Sequence, residues 1–437
     1  MRTLKSPRKQ LFLLLVFPIV AGCVYRAPMD QTVVTEDPDR FTNVRPAYRD
    51  LAALLTSETG MPPRDGNTLC LFPEAPQKFD VLLKDLSGAK ESIYIEHYRV
   101  RMDTIGTCVA GILREKAKAG VDVRTIVDRG ASVKEDREGL LELRNYGIAS
   151  YLYYRPVFFR DYVWPAKGAH RDHRKIVLID GQTSYLGGRN IQDKYFDWRD
   201  CDIRISGPAV KDLGDAFFDT QRQLDPQAPA PRITAETVCR AVDDSIPGVQ
   251  AFRGKTVQII TDSPRDSILP VRNCYEWSIL NAKNYFYFYN PYTPPPASTL
   301  KALKDAVERG VDVCWIVPAN NDVKQAKWLG ESLYKELMEA GVKIYEWQGN
   351  VLHTKQFISD DYLTAIGSAN MDNMSFFLNM EVQALVYDEE VAVSTRQLFE
   401  KELAERCRQI TLEEVRSWSP FRTFRNWFTR TFFGRIG

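Results

Sequence analysis

Two stretches of the chain are apolar, aromatic and β-prone. Ser92 to Val100 reads SIYIEHYRV and Asn284 to Tyr292 reads NYFYFYNPY. Both are short runs rich in aromatic and branched apolar residues, the pattern of a buried strand. A helical pattern comes after each and closes on nearly the same words, AKAGVDVRTIV ending at Val127 and VERGVDVCWIV ending at Val317. Gly120 and Gly310 stand where a helix stops, and VDV opens the next strand. Each half then offers another helix, a glycine (Gly147, Gly341) and a short strand. The chain therefore reads as two copies of one α/β unit of about 150 residues, an ordinary domain size. A period this long signifies a duplicated domain, not a solenoid. The pattern predicts a first repeat over residues 51–222, a linker over 223–252 that contains QLDPQAPAPR, and a second repeat over 253–410.

Each half carries the same polar motif: His, any residue, Lys, four residues, Asp, then a strand and a Gly-x-x-Asn turn. The first copy is His173, Lys175, Asp180, Gly187 and Asn190; the second is His353, Lys355, Asp360, Gly367 and Asn370. The chain holds only four histidines, and the motifs take two of them. Two solvated His/Lys surface patches would have no reason to share every spacing, downstream turn included.

These residue types suit transfer of a phosphoryl group. A phosphodiester reacts very slowly, so a catalyst needs a nucleophile, an acid for the leaving alkoxide and cations for the phosphate oxygens. One neutral imidazole can attack phosphorus and hold the group covalently. A second, protonated one can give its proton to the departing oxygen. Lys175 and Lys355 supply charge without a metal, and Asn190 and Asn370 can donate to non-bridging oxygens. Two-residue spacing on an extended strand puts each His and its Lys on one face. The candidate catalytic set is His173, Lys175, Asp180, His353, Lys355 and Asp360. Within it, Asp180 and Asp360 sit where a residue would shape the turn after the strand, with substrate contact as the alternative role. Imidazoles used this way need an acid behind them. Asp200 comes 27 residues after His173 and Glu381 comes 28 after His353. Which acid serves which histidine stays open, and Asp202 is the reserve for Asp200. His170 reads as a loop or supporting residue, His97 as an interior histidine, and Glu96 as facing the site or structural.

The segments around these motifs resemble the phospholipase D superfamily, and within it the bacterial cardiolipin synthases. GGRNIQDKYFDWRDCDIRISGPAV is similar to the segment after their first motif, and GSANMDNMSFFLNMEV to the second. The resemblance spans about Asn67 to Gln409, with one departure at Asn373, where the family usually carries Arg. It implies an α/β fold: two phospholipase D-type repeats, mixed sheets flanked by helices, packed about a pseudo-twofold axis with one shared active site. It also places an acid at Asp200 and Glu381, and makes His173 the nucleophile and His353 the acid.

The termini differ from the rest. MRTLKSPRKQ is basic and LFLLLVFPIV apolar, too short to span a bilayer, so residues 1–22 read as a signal peptide. Val20-Ala21-Gly22-Cys23 resembles a bacterial lipobox, which implies lipidation at Cys23; Val24 in place of Asp implies outer-membrane delivery, facing the periplasm. An ordinary signal with an incidental cysteine is the alternative. Residues 23–50 read as a polar tether. RPVFFRDYVWPAKG before the first motif carries Phe158, Phe159, Tyr162 and Trp164, which suit either an acyl-chain entrance or a packed loop. Residues 411–437 form an aromatic and basic tail, with Trp418, Phe421, Phe424, Trp427, Phe428, Phe432 and Phe433 among Arg422, Arg425, Arg430 and Arg435. That composition suits an interfacial helix on anionic lipid, or a terminal helix docked on the repeats.

Composition narrows the partners. A net charge of +1 leaves no basic field for nucleic acid. Forty-four per cent hydrophobic residues fills two cores. No C-x-x-C pair or His/Cys cluster points to zinc, and the chemistry calls for no cofactor. Seven of the eight cysteines remain after Cys23, so at least one thiol is unpaired within the monomer; Cys314 reads as a buried free thiol. The leading function is a phosphatidyltransferase making cardiolipin from phosphatidylglycerol and a second phospholipid, possible donors being phosphatidylglycerol and phosphatidylethanolamine. A phospholipase D is the alternative, and a nuclease of the same superfamily ranks lower. The partners implied are phospholipids and a membrane surface; oligomeric state is not legible.

Overall fold

Both aromatic runs are strands, and the two halves of the chain repeat one order of elements around them. The computed structural model describes residues 34–154, 170–230, 246, 248–263, 268–292 and 294–433. After α1 (Arg49–Thr59), the first half runs β1 (Arg64–Phe72), α2 (Ala75–Gly88), β2 (Ser92–His97), α3 (Thr104–Lys118), β3 (Asp122–Asp128), α4 (Lys134–Glu142), β4 (Ala149–Tyr153), β5 (Lys175–Ile179), β6 (Thr183–Gly187), β7 (Asp202–Ser206) and α5 (Val210–Leu224). The second runs β8 (Ala251–Asp262), α6 (Pro270–Asn281), β9 (Tyr285–Tyr289), α7 (Ala297–Glu308), β10 (Asp312–Pro318), α8 (Lys324–Glu339), β11 (Lys343–Trp347), β12 (Gln356–Ser359), β13 (Leu363–Gly367), α9 (Asn373–Phe377), β14 (Glu381–Tyr387) and α10 (Glu389–Arg406). It closes with β15 (Cys407–Gln409), α11 (Leu412–Arg416) and α12 (Pro420–Phe433). Gly120 and Gly310 end α3 and α7 at φ +87° and +88°, a conformation that a Cβ would strain.

One mixed sheet holds the described strands together. Read outward from the central β8–β1 pair, one side runs β14, β13, β12, β9, β10, β11 and the other β7, β6, β5, β2, β3, β4. The same path is walked twice in opposite directions, as a pseudo-twofold axis requires. β2, β3 and β4 are parallel, as are β9, β10 and β11, and α3, α4, α7 and α8 supply the crossovers that parallel pairing needs. The motif strand β5 is buried throughout. Ile176 and Leu178 enter a core that also contains Ile366, Val382 and Ala384 of the second half. Val177 and Ile179 enter a core on the other face, with Phe79, Val109 and Leu113. Each side chain buried this way contributes roughly 1.5–3 kcal/mol. Because the first of these cores is shared, packing fixes how the two motifs face one another.

The segment expected as a tether is docked over much of its described part. Phe41, Val44 and Tyr48 are buried, and the Tyr48 ring lies 5.0 Å from Tyr362 and 6.0 Å from Trp277. α1 continues that packing on the second half, with Asn273 donating to Glu58 at 2.6 Å and Gln258 to the Ala52 carbonyl at 3.3 Å. Scattered single hydrophobes gave no periodic signal there, which is why the segment read as polar. The expected linker is regular at both margins, since α5 reaches Leu224 and β8 starts at Ala251. The signal segment, Cys23 and the aromatic insertion with Phe158, Phe159, Tyr162 and Trp164 lie outside the described residues. Cys314 is a buried free thiol, as are Cys201 and Cys274. Among the described residues no helix is long and apolar enough to cross a membrane.

Arg422, Arg425 and Arg430 do not have the placement expected of a lipid-facing basic stripe, and Arg435 lies outside the described residues. α12 packs on α8, with Arg422 and Arg425 on Glu331 at 2.9 and 2.8 Å and Arg430 on Glu336 at 3.1 Å. The carboxylates of α8 draw these cations onto the protein.

Candidate active site

Each motif histidine is seated by a backbone graft from the other repeat. Ahead of β5, Met380 N donates to the Arg171 carbonyl at 2.8 Å and His173 N to the Met380 carbonyl at 3.0 Å. Ahead of β12, Arg199 N donates to the Val351 carbonyl at 3.0 Å and His353 N to the Arg199 carbonyl at 2.7 Å. These crossings bring the residue after Met380 to His173 and the residue after Arg199 to His353. Nδ1 of His173 lies 2.9 and 3.0 Å from the two oxygens of Glu381. Nδ1 of His353 lies 2.7 Å from Asp200 Oδ2. The question left open by the sequence has a reciprocal answer: each repeat's acid holds the other repeat's imidazole. A carboxylate at Nδ1 selects the tautomer whose Nε2 is free. The Lys355 ammonium also lies 2.9 Å from His353 Nδ1, but it bonds the His353 carbonyl more closely, so Nδ1–H to Asp200 is the consistent arrangement.

The two acids differ because their neighbours do. Glu381 also accepts from the Ser368 hydroxyl and from Asn379 Nδ2 at 3.3 Å. Burial by itself would raise this carboxyl, yet the charge and hydrogen bond of His173, with Lys175 and Ser368, outweigh it and hold it down at about 2. The position matching Ser368 in the first repeat is Gly188, and a Cβ there would collide with the Asp200 carboxylate. The shorter Asp therefore goes with Gly and the longer Glu with Ser. Burial raises the Asp200 carboxyl more than Lys355 and Arg189 lower it.

Burial governs the bases too. It lowers His173 against the opposing pull of Glu381, and with Lys355 it lowers His353 well below the ordinary value. Lys175 and Lys355 are pushed down to about 7 and about 8, mainly by burial. Lys175 Nζ donates to the His173 carbonyl at 2.6 Å and stands 5.1 Å from the Tyr98 ring centroid. The lysines are thus fixed beside the imidazoles, and a phosphate anion between them would restore their full charge.

Aromatic rings wall the site, and motif reasoning missed them. Tyr98 meets the His173 ring edge-on at 4.7 Å. Tyr195, Trp198 and Tyr292 surround His353 at 5.4, 5.5 and 5.6 Å. Tyr98 directly follows β2 and Tyr292 lies three residues past β9, at positions that do not match between the two copies, so the repeat alone does not pick them out. At the rim, Lys194 lies 4.2 Å from the Trp198 ring centroid and 3.7 Å from Asp322 of the second repeat.

The remaining sequence candidates separate clearly. Asn190 is buried and donates to the Tyr195 hydroxyl at 2.6 Å, while the Asn370 backbone N–H is held by Ser375 Oγ at 3.0 Å. Each amide oxygen has no partner among the described residues. Asp180 and Asp360 are corrected out of the reacting set. Asp180 sits at the far end of β5, at φ 53°, and accepts from the N–H groups of Lys90, Glu91 and Ser92. Asp360, at φ 52°, does the same for Lys283, Asn284 and Tyr285. Both tie the start of the neighbouring strand to the turn after the motif strand. Asp202 pairs with Arg189 at 2.5 Å and not with a histidine. His170 Nδ1 lies 3.1 Å from the Leu378 carbonyl. His97 is buried, with Nδ1 lacking a partner among the described residues. Glu96 points into a buried cluster, accepting from Thr220 at 2.9 Å and lying 3.6 Å from Arg174.

Residues 82–221 and 275–403 match the family model described as cardiolipin synthase, PLD-like domain. The chain belongs to that family. Each matched span contains one His/Lys motif and the acid that serves the other, so the cardiolipin synthase-like pattern accounts for both halves of the site. The chain is 32% identical over 367 residues to a cardiolipin synthase of Staphylococcus aureus (strain Mu50), covering 81% of this chain and 69% of that one. It is 34% identical over 336 residues to cardiolipin synthase 2 of Bacillus anthracis, covering 75% and 63%. Among solved structures, phosphatidylserine synthase from Haemophilus influenzae Rd KW20 shares the fold, with a TM-score of 0.64 at 14% identity over 83% of this chain and 93% of that one.

Proposed function

We propose that this chain is a phosphatidyltransferase that makes cardiolipin from phosphatidylglycerol and a second phospholipid, either phosphatidylglycerol or phosphatidylethanolamine, through a phosphatidyl-histidine. The observation that carries the reading is the reciprocal pairing of His173 with Glu381 and His353 with Asp200, with a lysine fixed beside each imidazole. Its kinship with cardiolipin synthases of Staphylococcus aureus and Bacillus anthracis supports the choice of lipid.

In this reading Nε2 of His173 attacks phosphorus, and the bond to the donor's headgroup oxygen breaks. His353, charged once the phosphodiester anion is bound, gives its proton to that oxygen. The acceptor's glycerol hydroxyl then loses its proton to His353 and attacks phosphorus, releasing His173. Lys175, Lys355, Asn190 and Asn370 take the non-bridging oxygens. Water competes at this second step, and positioning of the acceptor, worth several kcal/mol, decides in favour of the alcohol. Tyr98, Tyr195, Trp198 and Tyr292 limit access of water.

The same proposal sets the enzyme on the bacterial envelope, anchored by lipid on Cys23 and delivered to the outer membrane facing the periplasm. Cys23→Ser should abolish metabolic labelling with palmitate, and equal labelling would remove the anchor. The reaction is tested with purified protein in mixed vesicles, resolving products by mass. Cardiolipin should exceed phosphatidic acid and vanish with Lys355→Ala. Phosphatidic acid dominating despite abundant phosphatidylglycerol would make the protein a phospholipase D.

A further inference from the structure

α12 is an amphipathic helix mounted with its polar side toward the protein. On its inner side Asn426 and Thr429 are buried, and Asn426 Nδ2 bonds Glu331 at 3.0 Å alongside Arg422 and Arg425. The Arg425 guanidinium also lies 4.8 Å from the Trp328 ring centroid. On its outer side Phe421, Phe424, Trp427, Phe428 and Phe432 are exposed, from 41% at Phe428 to 75% at Phe421. Their rings touch in sequence, Phe424 with Trp427 at 5.7 Å, Phe424 with Phe428 at 6.2 Å and Phe428 with Phe432 at 4.4 Å. Spacings of three and four residues make this one continuous stripe. A soluble surface scatters such side chains singly, so a contiguous stripe marks a contact surface.

We infer that α12 inserts into a lipid bilayer through this uncharged aromatic face, with its arginines withheld from the lipid. Three observations select a bilayer over a second copy of the chain. The stripe exposes roughly 500–600 Å² of aromatic surface, below the ~800 Å² per partner of a stable protein interface. It offers no acid for a partner's cations, since residues 419–437 contain none, and Arg422, Arg425 and Arg430 are already engaged by Glu331 and Glu336 on the inner side of the helix. Phe and Trp side chains suit the boundary between headgroups and acyl chains, which needs no matched partner. The choice of lipid also rests on the phospholipid reading of the active site. Such a helix differs from an ordinary basic interfacial helix in one measurable way. Capture by arginines needs anionic lipid and weakens with salt, whereas burial of aromatic surface does neither.

The test uses the full chain with vesicles containing a photoactivatable phosphatidylcholine, and then peptide mapping of the lipid adducts. Adducts should fall within residues 420–433 in pure phosphatidylcholine. Their yield should change by less than about twofold on adding phosphatidylglycerol or on raising salt to about 0.5 M. Phe424→Ser/Trp427→Ser/Phe428→Ser should lower that yield at least about tenfold while keeping the thermal transition, because the Glu331 and Glu336 contacts remain. Adducts that persist in the triple variant, that require phosphatidylglycerol and vanish at high salt, or that give way to cross-links between two α12 helices would overturn the inference. Because the readout is lipid contact and not turnover, a protein that carries the adducts but makes no cardiolipin supports this inference and removes the proposed reaction.

Discussion

Glu381 of the second repeat holds Nδ1 of His173 of the first at 2.9 Å. The mirror contact, Asp200 to His353 at 2.7 Å, makes the dependence mutual. Neither repeat contains an imidazole with its own carboxylate, so the duplication is a requirement of the site. The seam between the repeats is where any displacement would be felt first.

Replacing Glu381 by Gln or Asp200 by Asn keeps each side chain's shape and removes its charge. Turnover in mixed vesicles should fall about 10²–10⁴-fold with each, with little loss of stability, because the amide no longer enforces the tautomer or supports the imidazolium. Gly188→Ala should reduce activity through its clash with Asp200, while Ser368→Ala should cost less, about tenfold, because Glu381 keeps His173 and Asn379. Unchanged kcat in Glu381→Gln would show that the acid only packs.

The lysines predict opposite pH trends for stability and activity. Lys175 and Lys355 are held at about 7 and about 8 in the folded chain, against an ordinary 10.5. Above those values the unfolded chain binds protons that the folded chain does not, so stability rises with pH from about 7 until the ordinary value of 10.5 is passed. Over the same window kcat/KM falls as the free enzyme loses its cations. Thermal melts and rates at matched pH check both trends. Lys175→Met/Lys355→Met should flatten the stability profile, and a wild-type protein that is most stable below pH 7 would contradict the burial argument.

Asp180→Ala should act on folding and not on chemistry. It strands the N–H groups of Lys90, Glu91 and Ser92, at a cost of about 1–3 kcal/mol for each donor left without water or another partner. Denaturant melts should show the loss, while kcat per folded molecule stays within about twofold. A fall in kcat of several orders with normal stability would return Asp180 to the reacting set.

Much of this architecture was legible because a duplicated pattern checks itself. SIYIEHYRV and NYFYFYNPY became β2 and β9, and Gly120 and Gly310 took the left-handed backbone their positions required. The carboxylates could be located by spacing, but their pairing depends on the crossing of residues 171–173 with 380 and of 199 with 351–353, which no local pattern encodes. The aspartates of the two motifs kept two roles open, because an acid beside a reactive histidine and an acid capping a neighbouring strand look alike in one dimension. In the tail, Arg and Phe alternate too closely for composition to orient the helix. Only Glu331 and Glu336, some ninety residues upstream, decide which face turns inward.

The most direct measurement is to catch the covalent intermediate. Protein incubated with phosphatidylglycerol vesicles and EDTA, quenched in alkali within one turnover and digested, should yield a phosphatidyl adduct on His173. The adduct should accumulate in His353→Ala, where breakdown to product lacks its base, and be absent from His173→Ala. Both variants should lose several orders of magnitude in steady-state activity. Cardiolipin formation that needs an added divalent ion, or that proceeds with no adduct on either motif histidine, would contradict a site built from two exchanged imidazole–carboxylate pairs.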